Sequence, residues 1–256
     1  MKDARSGQFV AVAPYYDHLM RFVPYGMWVD YCEQILTRER GEARDVLDLC
    51  CGTGSIGLRF AERGYRVVGV DLSPQMVALG RATAEARGSS MRFVVADARK
   101  LCLRPEFDVA VCLFDSLNYI TAEEQLRECF AGVAAALRRR GLFLFDVNTV
   151  RALRLDLFTQ VNRDAADSLQ YDWRSSWDPA SRICTVHMRF RYDDNGRTEE
   201  FEEVHHQKGY ELDELQRWLK DAGFDCCHVY NAYTLRRAGI FANRVFFVAR
   251  KARSVL

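Results

Sequence analysis

Three features of the sequence predict an α/β fold, with a mostly parallel sheet between helices and a separate antiparallel sheet inserted late in the chain. The first is the stretch from Val46 to Asp71, which reads strand, glycine turn, helix, strand. The second is the alternation of short apolar runs with helical periodicity, from Ser73 to Val147 and again from Leu212 to Ala249. The third is a change of period to two between Val150 and Gln207.

A chain of 256 residues, 49% hydrophobic and 28% charged, can bury one full core and a modest appendage. Its net charge of +1 lacks the electrostatic footprint of non-specific nucleic-acid binding, so nucleic acid is not the expected partner. Met1 to Gly7 is short and polar, without the apolar core of a signal peptide, and no run approaches the ~18 apolar residues of a membrane span. A cytoplasmic protein with no membrane partner is expected. The nine cysteines are an odd number without a CxxC pair, and Cys50 and Cys112 sit in apolar runs where a thiol acts as a small hydrophobe. The vicinal pairs Cys50-Cys51 and Cys226-Cys227 have no histidine or second pair at zinc spacing, so no metal is expected.

In chain order, Trp28, Tyr31, Cys32, Ile35 and Leu36 recur at helical intervals within an aromatic-rich segment, which predicts a helix against the sheet edge or over a ligand mouth. Val46 to Cys50 reads as a strand buried on both faces, broken by one carboxylate, Asp48. Gly52, Gly54 and Gly57 mark a tight turn; Ile56, Phe60 and Ala61 continue as a helix closed by Gly64; Val67 to Val70 is the second strand, ending in Asp71. Such a turn lets backbone amides approach a ligand, and the carboxylate beyond the second strand can accept hydrogen bonds from both ribose hydroxyls.

The glycines satisfy GxGxxG, with Asp71 about 20 residues on, as in a nicotinamide or flavin dinucleotide site. Asp48 argues otherwise: a carboxylate just before the turn suits a cationic ligand, such as a sulfonium and ammonium, better than a pyrophosphate. The stretch Asp48-Leu49-Cys50-Cys51-Gly52-Thr53-Gly54 resembles the first motif of the class I S-adenosylmethionine-dependent methyltransferases. The resemblance implies a seven-stranded Rossmann-like methyltransferase sheet with the last strand antiparallel, S-adenosylmethionine as cofactor, and S-adenosylhomocysteine as product. It covers nearly the whole chain and divides it into a helical lid (1–40), a core (41–149 and 209–256) and a β insertion (150–208).

By the same resemblance, Tyr16-Asp17-His18-Leu19-Met20 and Pro24-Tyr25-Gly26-Met27-Trp28 look like the lid of glycine and amino-sugar N-methyltransferases, in which Tyr16 and Trp28 would close over the cofactor. Cys50, Gly52 and Gly54 would line the turn. Ser73-Pro74 starts a helix running to about Arg87, with Met76, Leu79 and Thr83 on one face. Leu72 and Met76 lie near where an adenine would rest. Met91 to Val95 is the third strand; after it, Asp97 would accept from the exocyclic amine and the Ala98 amide would donate to the ring.

Phe107 to Leu113 is the fourth strand, and Leu113 is counted with the cofactor contacts. The following loop, Phe114 to Tyr119, lies beyond a strand's carboxyl end, where open α/β sheets bind ligands. It supplies Asp115 as a candidate acid or base, and Asn118 and Tyr119 as substrate contacts. It lacks the Asp/Asn-Pro-Pro-Tyr signature of related enzymes that methylate planar amides or exocyclic amines. Leu126, Phe130, Val133 and Leu137 define a helix, with Arg138-Arg139-Arg140 as cations at its C-terminus, and Gly141 to Val147 is the fifth strand.

In the insertion, Leu169, Tyr171, Trp173, Ser175 and Trp177 alternate with polar residues, as do Cys184, Val186, Met188, Phe190 and Tyr192. Asn195-Gly196 is a hairpin signal before a third strand reaching His205-His206. The apolar face of this sheet must be covered by the main domain or by a second copy, so a homodimer through the insertion is one expectation. Its aromatic and basic residues permit an acidic or sugar-like small-molecule substrate. A last helix around Leu215, Trp218 and Leu219, and strands at Phe224 to Tyr230 and Arg244 to Ala249, complete the core.

Methyl transfer from a sulfonium is an in-line displacement whose thioether leaving group needs no acid, so the protein must align the reactants, exclude water and take a proton from the acceptor. His205 and Asp115 are the candidates for the proton, with His187 as a further substrate contact. The reading is a methyltransferase acting on nitrogen or oxygen of a small molecule. A nicotinamide oxidoreductase and an RNA methyltransferase stand as alternatives.

Overall fold

The computed structural model describes residues 7–39, 42–164, 166–194 and 197–253. The expected hairpin at Asn195-Gly196 and the junction at residues 40 and 41 lie outside them. The elements run α1 (Tyr16–Leu19), α2 (Tyr25–Glu39), β1 (Asp45–Leu49), α3 (Ser55–Glu62), β2 (Arg66–Asp71), α4 (Pro74–Ala86), β3 (Arg92–Val95), β4 (Phe107–Cys112), α5 (Glu123–Ala136) and β5 (Leu137–Asn148). There follow α6 (Val150–Arg154), β6 (Gln160–Asn162), β7 (Leu169–Asp178), β8 (Ile183–Asp194), β9 (Arg197–Lys208), α7 (Leu212–Asp221), β10 (Phe224–Asn231) and β11 (Arg244–Lys251).

The main sheet has the order β10-β11-β5-β4-β1-β2-β3. Its strands pair in parallel except β11, which is antiparallel to both β5 and β10. β1 shows how residue alternation builds the two layers. Val46 faces the layer containing Val29, Ile35, Phe60 and Val77, from α2, α3 and α4. Leu47 and Leu49 face the opposite layer, with Phe130 and Val133 of α5 and Leu215 and Leu219 of α7. The aromatic helix near the N-terminus therefore lies on a sheet face as α2, with Trp28 buried and stacked on Tyr233 at 4.6 Å.

Two local expectations are corrected. The buried face of α4 is Met76, Val77, Gly80 and Ala84, while Leu79 remains 37% exposed. The helix turns Gly80 inward because the Phe93 ring sits there: a Cβ on Gly80 would come within 2.5 Å of it. The arginine run does not end a helix; α5 stops at Ala136 and Arg138 to Arg140 open β5, where Arg138 pairs with Asp45 at 2.8 Å and Asp108 at 3.0 Å.

The insertion is a four-stranded sheet, β6-β7-β8-β9, with the short β6 unforeseen. Its apolar face, Leu169, Trp173, Cys184, Val186, Met188 and Phe190, packs on Val12 and Leu153. Phe9, Tyr15, Leu19 and Met20 complete that layer. The chain's own N-terminal segment and α6 thus cover the face, which removes the reason for expecting a second copy on it.

Candidate active site

The glycine turn follows from two close approaches. Gly54 caps the start of α3 at φ +84°, and a Cβ there would lie 2.6 Å from the Phe93 ring. At Gly57 a Cβ would lie 2.8 Å from Asp48 Oδ2, the atom that accepts the Gly57 N–H at 2.9 Å. Asp48 is therefore packed beneath the turn at 2% exposure, and burial pushes its carboxyl up to about 7, against the pull of the Gly57 amide. Asp71, at the end of β2, accepts from Gly52 N–H and Ser73 N–H, both at 2.8 Å. Burial raises its carboxyl above the ordinary value, and these amides oppose the rise. The neighbouring Leu72 side chain is 59% exposed. Thr53 donates to Asp17 at 2.6 Å, tying α1 to the turn.

The remaining predicted contacts lie on α4 and just after β1, β3 and β4. Met76 is a core side chain at 2% exposure, because it lies on the inward face of α4. Asp97 is held by Arg99 through Nε and Nη2 at 2.8 and 2.7 Å, which keeps its carboxyl below the ordinary value. Ala98 and Leu113 are buried at 8% and 5%, and Cys50, half-buried with φ +57°, packs on the core beside the turn.

The loop after β4 is fixed from below. Phe114 and Asp115 both have positive φ, +65° and +51°. Asp146, a carboxylate inside β5, accepts the Asp115 N–H at 2.7 Å and the Tyr233 hydroxyl at 2.5 Å. Arg244 reaches Asp115 at 2.5 Å with one Nη and Asp146 at 3.0 Å with the other. Gln207 donates to the second Asp115 oxygen at 2.7 Å. Asp115, the expected proton acceptor, is thus held on both oxygens; burial lifts it to about 6, and Arg244 pulls the other way. Asn118 is likewise engaged. At 0% exposure its amide donates to the Asn148 and Lys208 carbonyls and its oxygen accepts from Asn148 N–H, so no atom is left for a substrate.

Tyr119 and His205 do come together. The Tyr119 hydroxyl lies 3.3 Å from His205 Nδ1, and His205 Nε2 lies 2.6 Å from Glu203 Oε2. Burial would raise the Glu203 carboxyl, but His205 and the Val12 and Phe9 amides outweigh it and hold it below the ordinary value. With Glu203 ionised, a neutral imidazole that donates Nε2–H to it presents Nδ1 as an acceptor to the Tyr119 hydroxyl. The Phe9 ring covers this pair, 4.5 Å from His205 and 5.1 Å from Tyr119. Tyr16 is half-buried, its ring 6.1 Å from Phe9; desolvation first, and then the field of Tyr25, Tyr119, Asp115 and Asp71, raises its phenol above the ordinary value. Its chain neighbours Asp17 and Tyr15 bond Thr53 of the glycine turn and Glu199 of β9, which sets Tyr16 between the turn and the insertion.

His187 is not brought to this group. It alternates with the inward Val186 and Met188, and so it projects from the exposed face of the insertion. Sequence reasoning also missed Asp146, Glu203, Tyr233 and Arg244. Signals were present for two of them: Asp146 interrupts an apolar strand as Asp48 does, and Glu203 precedes His205 by the two residues that put both on one face.

The profile of the Methyltransferase domain family matches residues 46–141. A protein of Geobacillus sp. strain WCH70 named "Putative methyltransferase" is 32% identical over 247 residues, 95% of this chain and 99% of its own length. A crystal structure of an S-adenosylmethionine-dependent methyltransferase from Clostridium acetobutylicum superposes with TM-score 0.85 at 24% identity, covering 95% of this chain and 98% of that one. The sugar N-methyltransferase KedS8 from a Streptoalloteichus species superposes with TM-score 0.82 at 19% identity, covering 99% and 98%.

Proposed function

The chain belongs to the class I S-adenosylmethionine-dependent methyltransferases, and from that premise we propose that it methylates a nitrogen or oxygen of a small, uncharged or cationic acceptor bound between Tyr16, Tyr119 and the insertion. The residues at the turn fit the cofactor. No lysine or arginine lies between Asp48 and Gly57 to attract a phosphate, whereas Asp48 and Asp71 are desolvated carboxylates that gain from a nearby cation or from hydroxyl donors. Asp71 would hold the ribose, and the exposed Leu72 with the Ala98 backbone would hold the adenine. With Asp97 engaged by Arg99, adenine recognition falls on those two. When bound, the cofactor supplies an electrophilic methyl group on sulfur.

The observation that carries the reading is the Tyr119–His205–Glu203 chain. Its polarity lets the Tyr119 oxygen take a proton from the acceptor while its own proton passes to His205 Nδ1, leaving an imidazolium paired with Glu203. Acceptor charge follows from Arg244, whose two Nη groups are committed to Asp115 and Asp146. Arg189, Arg191 and His187 face outward, and Arg182 and Lys208 lie by Glu214 and Glu123, so these basic residues of the insertion are not free to hold an anion beside Tyr119. That is an argument against the acidic substrate the composition permitted.

Calorimetric titration with S-adenosylhomocysteine is the test. One-to-one binding is expected, weakened about 10- to 100-fold by Asp71→Ala through the loss of charge-assisted hydrogen bonds. Transfer from labelled S-adenosylmethionine to a panel of uncharged amines, alcohols and phenols should then exceed transfer to phosphorylated analogues and to RNA. Absence of binding by the intact protein, or preference for the phosphorylated compounds, overturns the proposal.

A further inference from the structure

The geometry points to Glu203 as a positioning residue that makes the proton-accepting pair conditional on the seating of the N-terminal segment. This rests on the reading of Tyr119 and His205 above. Three donors converge on one carboxylate: Val12 N–H on Oε1 at 2.9 Å, Phe9 N–H on Oε2 at 3.0 Å, and His205 Nε2–H on the same Oε2 at 2.6 Å. The atom that orients the imidazole is therefore also an anchor of the segment. Both Glu203 and His205 are buried, at 4% and 1% exposure, and alternation along β9 puts them on the inward face with Gln207, the partner of Asp115.

The segment is held besides by polar contacts to β9 and by the apolar layer of the insertion. Gln8 accepts the His206 N–H at 3.0 Å, the Tyr15 hydroxyl donates to Glu199 at 2.8 Å, and the Tyr15 ring stacks on Phe201 at 5.0 Å. Val12 is 2% exposed in the apolar layer of the insertion. Phe9 adopts φ +64°, a conformation that costs a non-glycine residue on the order of 1 kcal/mol and persists only when its surroundings hold it. That conformation puts its ring over His205 and Tyr119.

Lifting the segment thus removes two donors from Glu203 and the cover from His205 together. Water then reaches the carboxylate and both ring nitrogens, and the single proton arrangement that leaves Nδ1 open to Tyr119 is lost. The same segment ends at Asp17, bonded to Thr53 of the glycine turn at 2.6 Å. An acceptor can enter while the segment is lifted, and the proton acceptor is assembled as the segment returns and excludes water.

The test uses the full-length, nitrogen-15-labelled protein, with and without S-adenosylhomocysteine, and two variants. Histidine ring correlations report the tautomer of His205, assigned by loss of its signals in His205→Asn; amide hydrogen exchange reports the segment. In the wild type, one Nε2–H tautomer and slow exchange of the Phe9 and Val12 amides are expected. Val12→Asp puts a charge into the apolar layer without touching His205. It should speed exchange over residues 7–15 by at least tenfold and mix the His205 tautomers. Glu203→Gln should do both while the unfolding transition stays cooperative. If Val12→Asp frees the segment and His205 keeps one tautomer, or if Glu203→Gln leaves the exchange unchanged, the coupling is refuted. Failure of the wild type to bind S-adenosylhomocysteine would instead count against the functional reading, and the exchange and tautomer measurements on the free protein would still decide the coupling.

Discussion

Asp48→Asn should make the ligand-free protein more stable at alkaline pH and less stable at acid pH. The carboxylate is 2% exposed, and burial raises it from 3.8 to about 7. A rise of that size corresponds to about 4 kcal/mol of native-state cost when the group is ionised. The sign follows from the direction. A folded-state value above the unfolded one means that the native state holds the proton more tightly, so the wild type is most stable below pH 3.8 and loses that stability as pH rises through about 7. The asparagine oxygen can still accept the Gly57 N–H, but its amide nitrogen enters a buried position without a carboxylate's acceptor role, a cost of about 1–3 kcal/mol. Removing the charge wins above pH 7 by about 1–3 kcal/mol, and the amide penalty wins below pH 4. Urea unfolding of the free protein at several pH values measures the difference, which must change sign between those limits. A constant offset across pH would refute the reasoning that Asp48 is held as a desolvated acid. Affinity for S-adenosylhomocysteine should fall in the same variant, since the charge that costs stability is the one a cationic ligand group would use.

The remaining predictions separate struts from contacts. Asn118→Ala leaves the Asn148 N–H and two carbonyls without their buried partner and should cost about 3 kcal/mol in urea unfolding, with S-adenosylhomocysteine affinity within about twofold. Leu72→Ala should weaken that affinity while stability stays within about 0.5 kcal/mol, because the side chain is exposed. Met76→Leu, a volume-conserving change in the core, should cost under about 1.5 kcal/mol and leave the affinity unchanged. A reversed outcome for the last two would put Met76 back at the ligand.

Much of the architecture was legible because it depends on local periodicity. The apolar runs of β1, β4 and β5, the glycines before α3, the Ser73-Pro74 start of α4, and the period-two alternation of β7 and β8 each reflect a short-range rule. The turn with Asp48 and Asp71 was readable for the same reason, since strand, turn and strand are contiguous. Rotation of α4 was not readable, because the approach of Phe93 to Gly80 sets it from another strand.

What the sequence by itself determined is the frame: two carboxylates about a glycine turn, at the carboxyl ends of parallel strands. Which side chains are free to act was decided only by folding, because a polar group's role depends on what has already claimed its hydrogen bonds. In sequence Asp115 reads as an acid or base and Asn118 as a substrate contact; in the fold Arg244, Gln207 and Asn148 engage their atoms. His205 became the partner of Tyr119 because Glu203 claimed its other nitrogen. Those partners lie between 30 and 129 positions away along the chain, except Glu203 at two. Short-range periodicity fixes which way a side chain points; only the completed fold determines what it meets.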